Sequence, residues 1–375
     1  MAAYTRETCL SWLAGAGLSP GEAKYLLTLE PDPVRLYAAW TEGGKLFGGI
    51  PLPERTLAGL KRSGTGEAMR RYGQLIGQHG IRAVTFQDPG YPEKLADLPD
   101  APPVLFFLGE LRAAEGRSVS MVGSRNASLK GTEAAGKIAE QLSRNGVRIV
   151  SGLAFGIDAA AHRGCLRGES PTTAVLGCGL DQTYPAGNAA LKREILEKGG
   201  LILSEFAPGE KPLGWHFPYR NRIISGLGDC LALIEARIRS GSMTTVQHAL
   251  DQGKDVFVYP GEPGSPKTEG NHLLLREGAI YFTTADDLLE DMRWLDKKQD
   301  SGQNNPCAAE REDPSLSAAE RLVLSRLGLG DQSFDQLCGA LNMTAAELNA
   351  SLSMLQIRGM VQALPGKIYA LNQPD

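Results

Sequence analysis

Residues 118–162 read SVSMVGSRNASLKGTEAAGKIAEQLSRNGVRIVSGLAFGIDAAAH, and their order decides the fold. SVSMV and VRIVS are short apolar runs, each followed by a glycine-bearing loop, and each loop opens a segment with helical spacing. Runs this short and this apolar are strands buried on both faces, which requires a parallel sheet covered by helices. The unit repeats downstream. TTAVLG, GLILS, CLALIEA, DVFVY and AIYF alternate with helical segments near 188–198, 219–227, 242–252 and 270–277, which follow those near 129–144 and 157–167. The sequence therefore predicts a doubly wound α/β domain over residues 79–294 with a mainly parallel sheet.

On the amino-terminal side, residues 1–78 read as short helices broken by Gly and Pro, a helical domain of the SAM or helix-hairpin-helix kind. Ser19 and Asp32 stand where helix caps belong, and PERTLAGLKRSGTGEAMRRYGQLIGQHG reads as one longer helical stretch. IRAVTF and PPVLFFLGE look like an extra β-pair leading into the sheet. On the other side, residues 295–314 are polar and rich in Asn, Gln, Pro and Ser, the composition of a linker. Residues 315–375 then offer three helical segments and MVQALPGKIYAL, a hairpin turning at Pro365-Gly366, which is a winged-helix pattern.

Composition narrows the function. The 375 residues carry 39 basic and 43 acidic side chains, a net charge of −4, which argues against coating duplex DNA by bulk electrostatics. Any nucleic-acid site must be local, and one stretch qualifies: between 211 and 239, Lys211, Arg220, Arg222, Arg237 and Arg239 face only Asp229 and Glu235. No apolar run approaches the roughly 18 residues of a membrane span, and MAAYTRETCL is no signal peptide, so a cytoplasmic protein without a membrane partner is expected. Six scattered cysteines without a C-x-x-C pair fit reduced buried thiols rather than a disulfide frame or zinc site.

Ligands of open parallel sheets bind beyond the carboxyl ends of the strands, so the loops there are the candidates. In VGSRNAS, Gly123 and Ser124 let backbone N–H groups approach an anion, Arg125 can fork onto a phosphate or carboxylate, and Ser128 caps the next helix; a plain turn with a solvated Arg is the alternative. In SGLAFGIDAAAH, Gly152 and Gly156 permit close backbone approach and Phe155 offers either a stacking face or a core side chain. Asp158 and His162 lie one helical turn apart, with helix capping and a packed His favoured over a metal site. Gly177-x-Gly179 and Glu205 suggest a dinucleotide fingerprint that fails, because Gln182 replaces the third Gly and Tyr184-Pro185 blocks an immediate helix. In SEFAPGEKPLGWHFPYRNRIISGL, Trp215, Phe217 and Tyr219 interleave with Lys211, Arg220 and Arg222, which suits single-stranded nucleic acid. Asn221 lies between the two arginines at a helix start. Finally, Ser240-Gly241-Ser242 opens a helix bearing Thr244 and Thr245, a phosphate cradle without a Walker lysine. No nucleophile elbow, H-E-x-x-H or histidine cluster is present in the sequence, so no catalytic residue, metal or cofactor is expected.

Taken together, VGSRNAS, SGLAFGIDAAAH, AVLGCGLDQTYP, SEFAPG, HFPYRNRIISGL and SGSMTTVQHALDQGKDVFVYPG resemble the DprA (Smf) family of DNA-processing proteins of natural transformation. The resemblance implies a Rossmann-like domain that dimerises, binds single-stranded DNA and helps load the RecA recombinase onto it. It would place the DNA pocket on Arg125, the Gly152–Gly156 loop, Lys211 to Arg222 and Ser240 to Ser242. An enzyme remains as the alternative, since the fold and the SGSMTT cradle also resemble nucleotide phosphoribohydrolases. Those carry a working glutamate, whereas here Gly241 to Gln247 holds no carboxylate. A duplex-reading winged helix is disfavoured by the charges of 344–358, which are Glu347 and Arg358.

Overall fold

The computed structural model describes residues 4–42, 52–294, 317–327, 332–341, 343–358, 360–364 and 368–371. The linker predicted at 295–314 and the Pro365-Gly366 turn lie outside them. The chain divides into two compact units, Met1–Asp296 and Lys297–Asp375.

Local signals start the first unit. Thr5, Ser19 and Asp32 each accept a hydrogen bond from a backbone N–H in the first turn of α1 (Arg6–Gly15), α2 (Pro20–Leu29) and α3 (Pro33–Thr41), and Glu22 completes a capping box with Ser19. The longer helix expected next is in fact two, α4 (Glu54–Ser63) and α5 (Gly66–His79). Thr65 caps α5 through the N–H of Ala68, and Gly64 is closely covered by the Trp12 indole, whose Nε1 donates to the Leu60 carbonyl at 3.0 Å. A second helix start thus competes successfully with continuation of the first.

The β-pair follows as β1 (Arg82–Thr85) and β2 (Val104–Gly109), with a one-turn α6 (Glu93–Ala96) between them. The alternating units are β3 (Ser118–Val122), α7 (Leu129–Arg144), β4 (Arg148–Ser151), α8 (Ile157–Arg167), β5 (Thr172–Val175), α9 (Ala189–Glu197), β6 (Leu201–Ser204) and α10 (His216–Leu227). They continue through β7 (Cys230–Leu233), α11 (Gly241–Asp251), β8 (Val256–Val258), α12 (Glu269–Arg276), β9 (Ile280–Tyr281) and α13 (Ala285–Asp291).

These strands form one sheet in the order β1-β2-β6-β5-β4-β3-β7-β8-β9. Strands β3 to β9 are parallel, while β2 pairs antiparallel with both β1 and β6. Successive strands step outward from β3 to β6, then the chain returns to the other side of β3 to place β7. Between β3 and β7 the order reverses, and such a switch point opens a crevice at the carboxyl ends.

Side-chain alternation divides the core between the two faces. Ile149 of β4 packs with α7 residues Ile138 and Leu142, whereas Val150 packs with Ile223 and Leu227 of α10. The helical module is not separate, because Leu10, Trp12 and Leu26 belong to one continuous core with Phe106, Ala174 and Ile202 of the sheet. Cys9, Cys165, Cys178 and Cys230 are buried free thiols.

The second unit holds α14 (Ala318–Leu327), β10 (Gln332–Ser333), α15 (Phe334–Leu341), α16 (Ala345–Ile357), β11 (Val361–Leu364) and β12 (Ile368–Leu371), with a sheet ordered β10-β12-β11. Leu348, Leu352 and Leu355 of α16 are buried in its own core with Val323, Leu327, Leu337 and Val361. This is the winged-helix arrangement.

Candidate nucleic-acid interface

At the switch point, loops and helix starts that follow five strands line a cleft of about 660 Å³. After β3 come Gly123, Ser124 and Arg125; after β4, Ala154; after β5, Tyr184; after β6, Phe217 and Asn221; after β7, Arg237 and Ser240 to Ser242. The cleft thus unites sequence segments more than a hundred residues apart.

Its floor is built by α10. Arg220 is 3 % exposed, and its Nη1 donates to the Gly152 carbonyl at 3.1 Å and to the Val175 carbonyl, tying α10 to the ends of β4 and β5. Beside it Asp158 accepts from the N–H of Gly152 at 3.2 Å and of Ala154 at 3.3 Å. Burial pulls the Arg220 guanidinium down to about 10 while Asp158 opposes the shift, so it remains cationic at neutral pH. The same burial pushes the Asp158 carboxyl up, opposed by Arg220.

Two glycines make this floor possible. A side chain on Gly152 would lie 2.6 Å from Arg220 Nη2 and 2.8 Å from Asp158 Oδ2. Gly156 has φ +74° and would press a Cβ to 2.2 Å from the Ser124 carbonyl, which accepts from the Ile157 N–H at 3.2 Å. The close approach these residues permit is therefore of protein on protein, where the sequence suggested a ligand.

The mouth is cationic and aromatic. Arg125 is exposed and sits over the Phe217 ring, 5.0 Å from its centroid. Phe217 in turn meets Tyr184 at 5.2 Å with ring planes 37° apart, and Tyr184 is 44 % exposed. Asn221 Nδ2 donates to the Gly241 carbonyl at 3.3 Å, joining α10 to the start of α11. That start has no side-chain cap, and the buried Ser240 Oγ has no partner among the described residues. Free N–H groups at the head of an eleven-residue helix attract an anion.

Several expected residues stand elsewhere. Arg222, expected to clamp a phosphate, is turned away from the cleft. Its Nη1 and Nη2 grip Glu205 at 2.6 and 2.7 Å, its Nε reaches Asp100 at 3.1 Å, and it lies over the Tyr219 ring at 4.1 Å. Burial disfavours its charge, but the paired carboxylate more than offsets that and holds the guanidinium above its ordinary value. Ser128 caps α7 as expected, accepting from the Gly131 N–H at 3.0 Å, yet its hydroxyl donates to the buried Glu235 at 2.5 Å and is removed from the cleft. Phe155 is neither core nor cleft wall; it is 49 % exposed and leans on Gly187. Lys211 is exposed on the loop whose Pro212 and Gly214 line the cleft, without lining it itself.

Asp158 braces the preceding loop instead of capping α8. His162 is packed as expected: the Thr172 hydroxyl donates to the Ile149 carbonyl at 2.7 Å, so His162 Nδ1 donates to Thr172 Oγ1 at 2.8 Å. Among the described residues no cluster of His, Cys, Asp and Glu could hold a metal ion. Tyr184 and Arg237 are site residues that sequence reasoning does not select. Tyr184 is visible in the loop after β5, where together with Pro185 it serves only to refute a dinucleotide site, and Arg237 enters as charge without a place.

Comparison with known proteins gives the following. Residues 82–293 match the family of DNA recombination-mediator protein A, and 308–367 match the DprA winged helix domain. The chain is 37% identical to Protein Smf of Escherichia coli K12 over 287 residues, covering 76% of this chain and 75% of that one. It is 40% identical to DNA processing protein DprA of Streptococcus pneumoniae R6 over 232 residues, covering 60% and 82%. A solved structure of the Streptococcus pneumoniae DprA superposes with a TM-score of 0.64 at 32% identity, over 77% of this chain and 98% of that one. The Helicobacter pylori DNA processing protein A, described for its single-stranded DNA binding mode, superposes with a TM-score of 0.51 at 28% identity, over 56% and 96%. No helix among the described residues is long and apolar enough to cross a membrane.

Proposed function

Because the chain belongs to the DNA recombination-mediator protein A family, we propose that it binds single-stranded DNA in the switch-point cleft and acts as a mediator without catalysing a reaction. The observation that carries this is the Arg125–Phe217–Tyr184 stack beside the uncapped head of α11. Guanidinium groups and free N–H groups suit phosphates, and exposed ring faces suit unpaired bases. A duplex hides the faces of its own bases, so the cleft favours a single strand.

From the family resemblance we extend the role to protecting incoming strands and loading RecA during transformation, in the cytoplasm and as a homodimer. Two linked clefts raise effective concentration with no new kind of contact to the DNA. A gel shift with single-stranded, duplex and mononucleotide ligands, run beside a nucleotide-hydrolysis assay, tests the binding claim. A single-strand shift without turnover is expected; N-glycosidic hydrolysis of a nucleotide would favour the phosphoribohydrolase alternative. Faster RecA filament nucleation in the protein's presence tests the mediator role, and an unchanged rate removes it.

A further inference from the structure

The loop leading into α10 has two sides. Pro212 and Gly214 line the switch-point cleft, whereas Trp215, next in the chain, lines a second cavity of about 370 Å³ between this loop and the helical module. Phe206 and Tyr219 form its aromatic wall, with Arg62 at the end of α4 contributing from the helical module.

Trp215 is 61 % exposed, an arrangement that surrenders the hydrophobic gain of burying an indole. The ring is nonetheless held, with edge-on contacts to His216 at 4.2 Å and to Phe206 and Tyr219 at 6.2 Å. Glu205 on the same wall is already bound to Arg222, and Glu210, the other carboxylate of the lining, makes no ion pair with Lys or Arg among the described residues. Arg62 and Arg71 are exposed, and neither makes an ion pair among the described residues. The Arg71 guanidinium reaches within 3.3 Å of where a side chain on Gly209 of the same loop would lie.

We propose that this cavity is a second nucleobase subsite, in which Trp215 stacks a base of the strand leaving the cleft over Pro212 and Gly214, while Arg62 and Arg71 hold its phosphates. The helical module is then part of the DNA interface. The inference rests on the single-strand reading above and adds a length dependence: a short strand fills the cleft alone, and a longer one gains the second stack.

The test uses the full chain, as wild type, Trp215→Ala and the double variant Arg62→Ala/Arg71→Ala, with dye-labelled oligothymidylates of about 4 and about 16 nucleotides. Each variant should lose about tenfold on the long strand, one stacked base or phosphate pair in size, and bind the short one as wild type does. All three side chains are exposed, so both variants should fold, with melting temperatures within about 4 °C of the wild-type value. Wild-type affinity of both variants for the long strand overturns the subsite and leaves the cleft intact. Equal losses on both lengths also overturn it, by placing these residues in the first cleft. A wild-type protein that binds neither strand removes the single-strand reading and the subsite together. Tryptophan fluorescence of the wild type needs no variant: the long strand should quench it more than the short one does, and equal quenching contradicts the proposal.

Discussion

The guanidinium of Arg125 stands over the ring of Phe217, 5.0 Å from its centroid, although Arg125 lies in the loop after β3 and Phe217 in the first turn of α10, which follows β6. Arg125→Ala should therefore weaken single-strand binding and flatten its salt dependence by a slope of about 0.7, the share of one phosphate that is no longer neutralised. Lys in its place should restore little, since a point charge neither forks nor stacks. Affinity titrations at several salt concentrations measure both; an unchanged slope and affinity would take Arg125 out of the interface.

Arg222 behaves differently. Its side chain is 2% exposed and joined to Glu205 and Asp100, so Arg222→Ala leaves a buried carboxylate unpaired. The expected loss is about 3–5 kcal/mol of folding stability, read as a lower denaturant midpoint. A pair of substitutions, Arg222→Met with Glu205→Leu, should recover much of it. A folded, fully stable Arg222→Ala that fails to bind DNA would return Arg222 to the cleft.

Gly156→Ala places a methyl at 2.2 Å from the Ser124 carbonyl on a backbone with φ +74°. Relief requires moving the Arg125 loop, so stability should fall by about 1–3 kcal/mol and DNA affinity should fall with it. Thermal melts and binding assays on the same preparation check this, and loss of neither would mean that the two loops do not need each other.

His162 gives the fold a pH dependence of known sign. Burial first, then Arg220 and Arg163, lowers it from 6.5 to about 3. Between those values the unfolded chain takes up a proton that the native chain refuses, so its stabilising share is complete above pH 6.5 and declines as pH falls toward 3. Denaturation midpoints from pH 7 to 4 should drop more steeply in the wild type than in His162→Gln, and parallel profiles would contradict the assignment.

The second unit should be dispensable for the cleft. The buried leucines of α16 serve its own core, and the predicted recognition helix carries little charge for phosphates. Removing residues 300–375 should leave single-strand affinity within a few fold. A loss of about a hundredfold, near 2.7 kcal/mol, would show that the winged helix binds DNA.

Features legible in the sequence have local or periodic causes. Ser19, Asp32 and Ser128 cap their helices through N–H groups three or fewer residues away, and such bonds can be read in a short window. Apolar runs mark the strands, and the switch-point rule sends attention to the loops around Arg125, Phe217 and Ser240. What escapes depends on partners set by tertiary packing. Glu205 and Asp100 capture Arg222, Glu235 captures Ser128 from 107 residues away, and Trp12 covers Gly64 where a helix was expected to continue. Tyr184 is plain in the sequence, but nothing in its neighbours says that its ring meets Phe217.

The most direct measurement is a competition at physiological salt between a single strand and the duplex of the same sequence and length, followed by fluorescence anisotropy of the labelled single strand. If Phe217 and Tyr184 accept unpaired bases, the single strand should bind at least about tenfold more tightly, the size of one stacked base. Equal competition by duplex would contradict the account, because phosphate contacts alone would then explain all of the binding.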